Sequence, residues 1–174
     1  SLDFKLIDFG FRGTSSPESA VIGAAAHLLS FKGSDTLPAI EFIEEYYGRN
    51  ETPSFGIPAS EHSTITSWGK KNEVKAFENM LDQYAAGPMA CVSDSYDITE
   101  ATDVLWPSLK AKILARDGVL VVRPDSGDIK MTLQVVLSNL WKHFGGHVTE
   151  DGYKILHPKV RVLQGDGVNY ESLT

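Results

Sequence analysis

The chain has 174 residues, of which 42% are hydrophobic and 22% charged, with a formal net charge of -7. That is enough chain for one sizeable core. The negative balance excludes a general nucleic-acid or anionic-membrane binder, so an anionic ligand would have to be met by a few placed cations. Cys91 is the only cysteine, which rules out an internal disulfide framework and points to a reducing, cytoplasmic setting. No apolar run has the length of a membrane span or a secretory leader.

Taken in chain order, one pattern recurs. A short apolar or β-rich run closes in a polar, glycine-bearing loop, and a helical pattern follows. The first run, Phe4–Phe9, closes in "DFGFRG". It predicts a helix from Pro17 to Leu29 with Ser15 or Ser16 as N-cap and Glu18 in the first turn. "LLSFKGSD" is followed by a helical pattern over Leu37–Tyr47, stopped by Gly48. "SFGIPASEHS" leads into a long amphipathic pattern over Ile65–Tyr84. "MACVSDSYD" precedes helices starting near Ile98 and spanning Ser108–Ala115. "GVLVVRPDSGD" precedes a helix over Ile129–Phe144, and "VRVLQGDGV" precedes a last helix at Tyr170.

With no low-complexity tract and no Pro/Gly/Ser linker, residues 1–174 read as one α/β domain. The abrupt start in "FKLIDFG" and the close at "NYESLT", the opening of a helix, predict an excerpt from a longer protein.

Six strand-like runs at intervals of roughly 25–40 residues, each followed by helix, predict βα units and a parallel sheet. Apolar runs of this kind suit a (β/α) barrel or a doubly wound sheet, and in both the ligand sits at the carboxyl ends of the strands. Asp8, Arg12, Asp35, Glu61, His62, Asp94, Arg123, Asp125 and Asp166 all fall at such ends. If the units close into a barrel, these side chains share one mouth.

Each candidate has a plainer reading. Asp125 or Ser126 could cap the following helix, as could Asp35, and Asp97 with Glu100 has the form of a helix start. Asp94 lies too early to be that cap. Asp166, between Gly165 and Gly167, suits either a tight turn or close approach of a ligand to backbone. Arg123 follows four apolar residues, where a charge needs a partner, either Asp125 or a ligand. Arg12, between Phe11 and Gly13, has the planar fork that matches phosphate oxygens. His62 is a surface histidine or a site group. His27, His143, His147 and His157 carry no assignment, and Cys91 reads as a small buried hydrophobe.

The phosphate-binding GxxxxGK[ST], a strand-borne GxGxxG, HExxH and paired CxxC are absent. "GTSSPESAV" has no nucleophile-elbow pattern. What remains is a mouth of two arginines, a histidine and several carboxylates. That set suits an anionic substrate, with Mg2+ as a bridge between carboxylate and phosphate.

"DFGFRGTSS", "FKGSDT", "PASEHSTITSWG", "VSDSYDI", "VRPDSG" and "QGDGV", in this order, resemble the nicotinamide phosphoribosyltransferase family over essentially the whole chain. The resemblance implies the type II phosphoribosyltransferase fold, an incomplete TIM-like (β/α) barrel joined to a smaller domain in a homodimer. It implies transfer of phosphoribosyl from phosphoribosyl pyrophosphate to nicotinamide, giving nicotinamide mononucleotide and pyrophosphate in NAD salvage. By matching position, Phe9 stacks on the nicotinamide ring with Arg123 on its other face, and Asp35 accepts the carboxamide NH2. Arg12, His62 and Arg123 surround pyrophosphate, and Pro124, Asp125, Gly165 and Asp166 line the ribose side. Asp94 lies near ribose and metal, so that Asp94 and Asp125 meet Mg2+, through water. His62 matches the histidine phosphorylated from ATP, and His62, Asp94 and Asp125 form the catalytic set.

Two departures qualify the match. Ile7 stands where vertebrate members have a histidine, and the family's glycine-rich 5′-phosphate loop would lie downstream of "QGDGV". The 174 residues alone are therefore expected to be inactive. Nicotinate phosphoribosyl transfer is the nearest alternative, and a non-catalytic binding domain is a second.

Overall fold

A computed structural model describes residues 2–48 and 54–173, so the chain's last residue, Thr174, lies outside the described residues. The chain divides into two compact units, residues 1–56 and 57–174. The division falls where the sequence offers no linker.

In the first unit, a 3-10 turn at Leu2–Phe4 leads into β1 (Ile7–Asp8), which pairs in parallel with β2 (Gly33–Ser34). Phe55 adds a parallel bridge to Gly33. The first run, Phe4–Phe9, yields a strand of only two residues, because Phe4 closes a 3-10 turn and Lys5 and Leu6 form a bend before it. Helix α1 (Pro17–His27) starts as the sequence predicts. Ser16 caps it, accepting the Ser19 N–H at 3.1 Å, with Pro17 at the first position. Helix α2 (Pro38–Tyr47) ends at Gly48, whose φ of 62° is the left-handed conformation that a helix stop favours. Ala24, Ala25 and Leu28 of the first helical stretch pack on Ala39 and Ile43 of α2.

In the second unit the expected long helix over residues 65–84 is broken. Helix α3 (His62–Thr66) and α4 (Glu73–Gln83) are separated by Gly69, with φ of 76°, and a 3-10 turn at Lys70–Asn72. Apolar residues keep the same helical phase on either side of the polar stretch Gly69–Glu73, so periodicity alone does not reveal the break. Strand β3 (Ala86–Val92) pairs in parallel with β4 (Asp117–Arg123) along all seven residues. Strand β7 (Val160–Val162) then pairs in parallel on the other side of β4. The third run of the sequence forms no strand of its own among the described residues, only the two parallel bridges from Phe55 to Gly33 and from Ala59 to Ala90.

Between β3 and β4 lie α5 (Ile98–Glu100), a π-helical segment at Ala101–Leu105, α6 (Trp106–Ser108) and α7 (Lys110–Ala115). Helix α8 (Ile129–Phe144) returns from β4. An antiparallel hairpin, β5 (Gly146–Val148) and β6 (Lys154–Leu156), and a last helix α9 (Tyr170–Leu173) complete the elements. The core unites the strands' buried residues, Met89, Val92, Leu120, Val122 and Val160, with Phe77, Trp106, Val136 and Leu140 of the helices. Trp106 stacks on Phe77 with centroids 4.2 Å apart, and its Nε1–H reaches Ser93 Oγ at 3.0 Å just past the end of β3. The carboxyl end of the sheet thus rests on a packed aromatic pair. No described helix is long and apolar enough to cross a membrane.

Candidate active site

Register builds the site. Val92 of β3 lies beside Arg123 of β4, and Val122 of β4 beside Val162 of β7. Parallel pairing continues past the strands, through the Ser93 N–H to the Arg123 carbonyl at 2.9 Å and the Gly165 N–H to the Pro124 carbonyl at 2.9 Å. Carrying the same register on by two or three residues sets Asp94, Asp125 and Gly165 in one row across three adjacent strand ends.

Contacts hold that row together. Asp94 is the hub, with 5% of its side chain exposed. Its Oδ1 accepts the His62 Nε2–H at 3.1 Å, and its Oδ2 accepts the Asp125 N–H at 2.9 Å and the Ser126 hydroxyl at 2.5 Å. Burial pushes its carboxyl pKa up. The bonds from Ser126, Asp125 and His62 outweigh burial and hold it below the usual range. An ionised carboxylate only accepts, so His62 presents Nε2–H to it and, when neutral, keeps its lone pair on Nδ1. That Nδ1 lies 3.9 Å from Asp125 Oδ2.

Arg123 is buried at the end of β4, and Pro124 is buried beside it. The Arg123 Nη2 stands 3.7 Å from both Asp125 Oδ2 and Glu61 Oε2, close enough for ion pairing and too far for a hydrogen bond. Gly165 supplies the space for Asp125: a Cβ there would lie 1.8 Å from Asp125 Oδ1. Asp166 is exposed in the turn that Gly167 makes with φ of 70°. His62, Asp94, Arg123, Pro124, Asp125 and Gly165 are therefore one cluster, with Asp166 in the loop beyond it.

In the first unit, Phe9 is half-buried directly after β1, and Arg12 is exposed in the 3-10 turn Phe11–Gly13. Asp35 is exposed after β2, its Oδ1 against Gly56, where an added Cβ would lie 3.2 Å away.

Capping is settled for four aspartates. Helix α8 is capped by Asp128, whose Oδ1 accepts the Met131 N–H at 2.9 Å. Neither Asp125 nor Ser126 caps it, because both lie too early to reach the free N–H groups of a helix that starts at Ile129. Asp35 is not the N-cap of α2 either; Leu37 holds that position. Asp97 does cap α5, accepting the Thr99 and Glu100 N–H groups.

The donor set does not make a metal site of its own. Both oxygens of Asp94 are engaged by protein donors. Among the described residues no group of three His, Cys, Asp or Glu side chains could hold an ion.

Residues 4–174 match the model of the Nicotinate phosphoribosyltransferase (NAPRTase) family. The chain belongs to this family. It is 48% identical over 175 residues to a nicotinamide phosphoribosyltransferase of Xanthomonas campestris pv. campestris (strain 8004), covering 99% of this chain and 37% of the relative. It is 34% identical over 183 residues to the protein of the same name from Mycoplasma pneumoniae (strain ATCC 29342 / M129 / Subtype 1), covering 98% of this chain and 38% of that relative. The protein of that name from Acinetobacter baylyi (strain ATCC 33305 / BD413 / ADP1) is 32% identical over 184 residues, with 94% of this chain and 36% of the relative covered. The chain thus spans little more than a third of the length of these relatives.

Two serines of this family member, one bonded to Asp94 and one two residues before His62, carry little signal in sequence. Ser126 reads as a helix cap but is a partner of Asp94. Ser60 reads as loop, yet its Oγ accepts the Val92 N–H at 2.9 Å and donates to Cys91 Sγ at 3.4 Å. Register is the signal that would have found Ser126, since it places residues 125 and 126 next to 94 once β3 and β4 are paired.

Proposed function

We propose that the full-length protein carrying this chain transfers the phosphoribosyl group of phosphoribosyl pyrophosphate to nicotinamide, giving nicotinamide mononucleotide and pyrophosphate in NAD salvage. The observation that carries this reading is the pair of adjacent strand-end carboxylates, Asp94 and Asp125, with Arg123 and His62 against them. As the bond from C1′ to pyrophosphate breaks and the ring nitrogen of nicotinamide attacks, positive charge grows on the ribose and negative charge on the leaving group. Fixed carboxylates favour the first and a buried guanidinium the second, without reorganisation at the moment of reaction. Pro124, Gly165 and Asp166 are assigned to the ribose side, and Arg12 to the pyrophosphate. Phe9 is assigned to the ring face and Asp35 to the carboxamide, where a carboxylate accepts an amide N–H and repels the acid analogue.

Mg2+ enters as part of the pyrophosphate donor, and contact from Asp94 and Asp125 is through water. His62 accepts a phosphoryl group from ATP at Nδ1, the nitrogen that Asp94 leaves without a proton; ADP departs as the N–P bond forms. The strand ends belong to an incomplete TIM-like barrel in a cytoplasmic homodimer that engages neither nucleic acid nor membrane.

A second reading, nicotinate as the base, is favoured by the description of the matching family. Competition between nicotinamide and nicotinic acid in the full-length protein decides. Preference for the acid overturns the base assignment, and failure to release pyrophosphate with either base overturns the reaction. ATP-stimulated turnover with no phosphate on His62, read by mass spectrometry under conditions that preserve phosphohistidine, overturns the coupling role.

A further inference from the structure

The polar groups of the first unit meet at a residue that the reaction above does not use. Asp8 closes β1 and is half-buried. Its Oδ1 accepts the Gly10 N–H at 3.1 Å, and its Oδ2 accepts the Ser34 hydroxyl at 2.9 Å and the Thr36 hydroxyl at 2.7 Å. Its backbone carbonyl accepts the Asp35 N–H at 2.8 Å. The Thr36 N–H in turn donates to Ser34 Oγ at 3.1 Å. One residue therefore ties down two loops. The first begins with Phe9 and carries Arg12; the second has Asp35 between the two hydroxyl donors.

On its other side Asp35 rests against Gly56, where even a methyl group would crowd it at 3.2 Å. Burial pushes the Asp8 carboxyl pKa up, but the bonds from Thr36, Gly10 and Ser34, together with nearby His27, hold it below the usual range. It is thus an acceptor-only group near neutral pH. Both of its oxygens are occupied by protein donors, all of them from the two segments it ties together.

We propose that Asp8 is a positioning residue for base recognition, holding Phe9 and Asp35 in the arrangement that favours nicotinamide over nicotinic acid. The inference rests on the phosphoribosyl-transfer reading. Hydrogen bonds to a charged group are among the stronger ones, and losing their acceptor leaves two hydroxyls and an N–H without a partner. Asn at position 8 keeps the shape but turns one acceptor into a donor, which conflicts with at least one of the three bonds.

The test is steady-state kinetics of the full-length protein and its Asp8→Asn, Asp8→Ala and Thr36→Val variants with each base, alongside thermal denaturation. Asp8→Asn is expected to raise the nicotinamide KM on the order of tenfold and to lower the nicotinamide to nicotinic acid ratio of kcat/KM by a similar factor. The KM for phosphoribosyl pyrophosphate should move less than about twofold. Thr36→Val should shift the ratio in the same direction by less. An unchanged ratio in folded Asp8→Asn and Thr36→Val, or an equal rise in KM for base and for phosphoribosyl pyrophosphate, overturns the inference while a working wild type keeps the reaction. A wild type that transfers to neither base overturns the reaction and the inference together. If Asp8→Ala does not fold, the other two variants decide.

Discussion

Gly165→Ala is a steric test of the row of strand ends. Gly165 is not among the glycines with positive φ, so its backbone accepts alanine and the effect comes from the methyl group alone. An ideal Cβ would lie 1.8 Å from Asp125 Oδ1 and 3.0 Å from its Cγ, where ordinary contact starts at 3.4 Å. The carboxylate oxygen must therefore retreat by about 1.6 Å, or the loop must withdraw and stretch the 2.9 Å bond from Gly165 N–H to Pro124. Asp125 is short, and its N–H is pinned to Asp94 at 2.9 Å, so the movement falls on its side-chain torsions.

On the proposed assignment of Asp125 to the ribose side, a carboxylate displaced by more than 1 Å is expected to lower kcat/KM on the order of 100-fold, with a stability cost of about 1–3 kcal/mol. Pyrophosphate release and thermal denaturation of the full-length protein measure the two. The same substitution in an Asp125→Ala background should cost little more than Asp125→Ala alone, because the group it displaces is gone. Wild-type kcat/KM in Gly165→Ala, or a full additive loss in the double variant, would refute the contact as the link between Gly165 and activity.

Asp128→Ala should cost about 1 kcal/mol of stability and leave kcat unchanged, separating the cap of α8 from the site loop; equal losses in Asp128→Ala and Asp125→Ala kinetics would contradict that separation. Ser126→Ala removes the 2.5 Å bond that helps hold Asp94 ionised. Its pH–rate profile should lose activity at higher pH on the acid side than wild type does, with a fall on the order of tenfold at the optimum. Arg123→Lys keeps the charge but loses the planar fork near Glu61 and Asp125; kcat/KM should fall on the order of 100-fold, more than Tm suggests. Glu73 is buried, and burial and then Glu100 raise its pKa to about 7, against the pull of Lys70. An unfolded glutamate gives up its proton near pH 4.3, so between there and 7 the fold holds the extra proton and stability declines as pH rises. Glu73→Gln should flatten that decline and raise Tm at pH 8 by several degrees, at about 2–4 °C per kcal/mol for a chain of this size.

Strands β3, β4 and β7 and the helices that follow each of them were legible because β-rich runs, polar loops and helical periods agree there. Ser16, Pro17 and Gly48 marked helix ends by their own chemistry. The hairpin Gly146–Leu156 was not legible: each of its strands has three residues, too few to carry an alternating pattern, and only Gly145 and Gly152 announce turns. The break at Gly69 was hidden for the opposite reason, since apolar residues keep helical spacing on both sides of it. The site was half legible. Charges at strand ends pointed to Asp94, Arg123 and Asp125, but Ser60 and Ser126 are polar residues among many and become partners only through pairing between strands.

The segment Arg123–Asp128 shows why strand-end charges can be read as function when their neighbours are known. A strand must end and a helix must be capped, and one aspartate could have served both needs. Here the tasks are separated. Pairing with β3 stops at Arg123, the cap of α8 is Asp128, and residues 124–127 belong to neither element. Within that interval Asp125 and Ser126 give their donors to Asp94 on the neighbouring strand end, and Asp125 Oδ1 occupies the space that Gly165 leaves on the other side. A residue needed only to start a helix would bond forward along its own chain. Asp125 and Ser126 bond sideways across the sheet, which is what a site built on parallel strand ends requires.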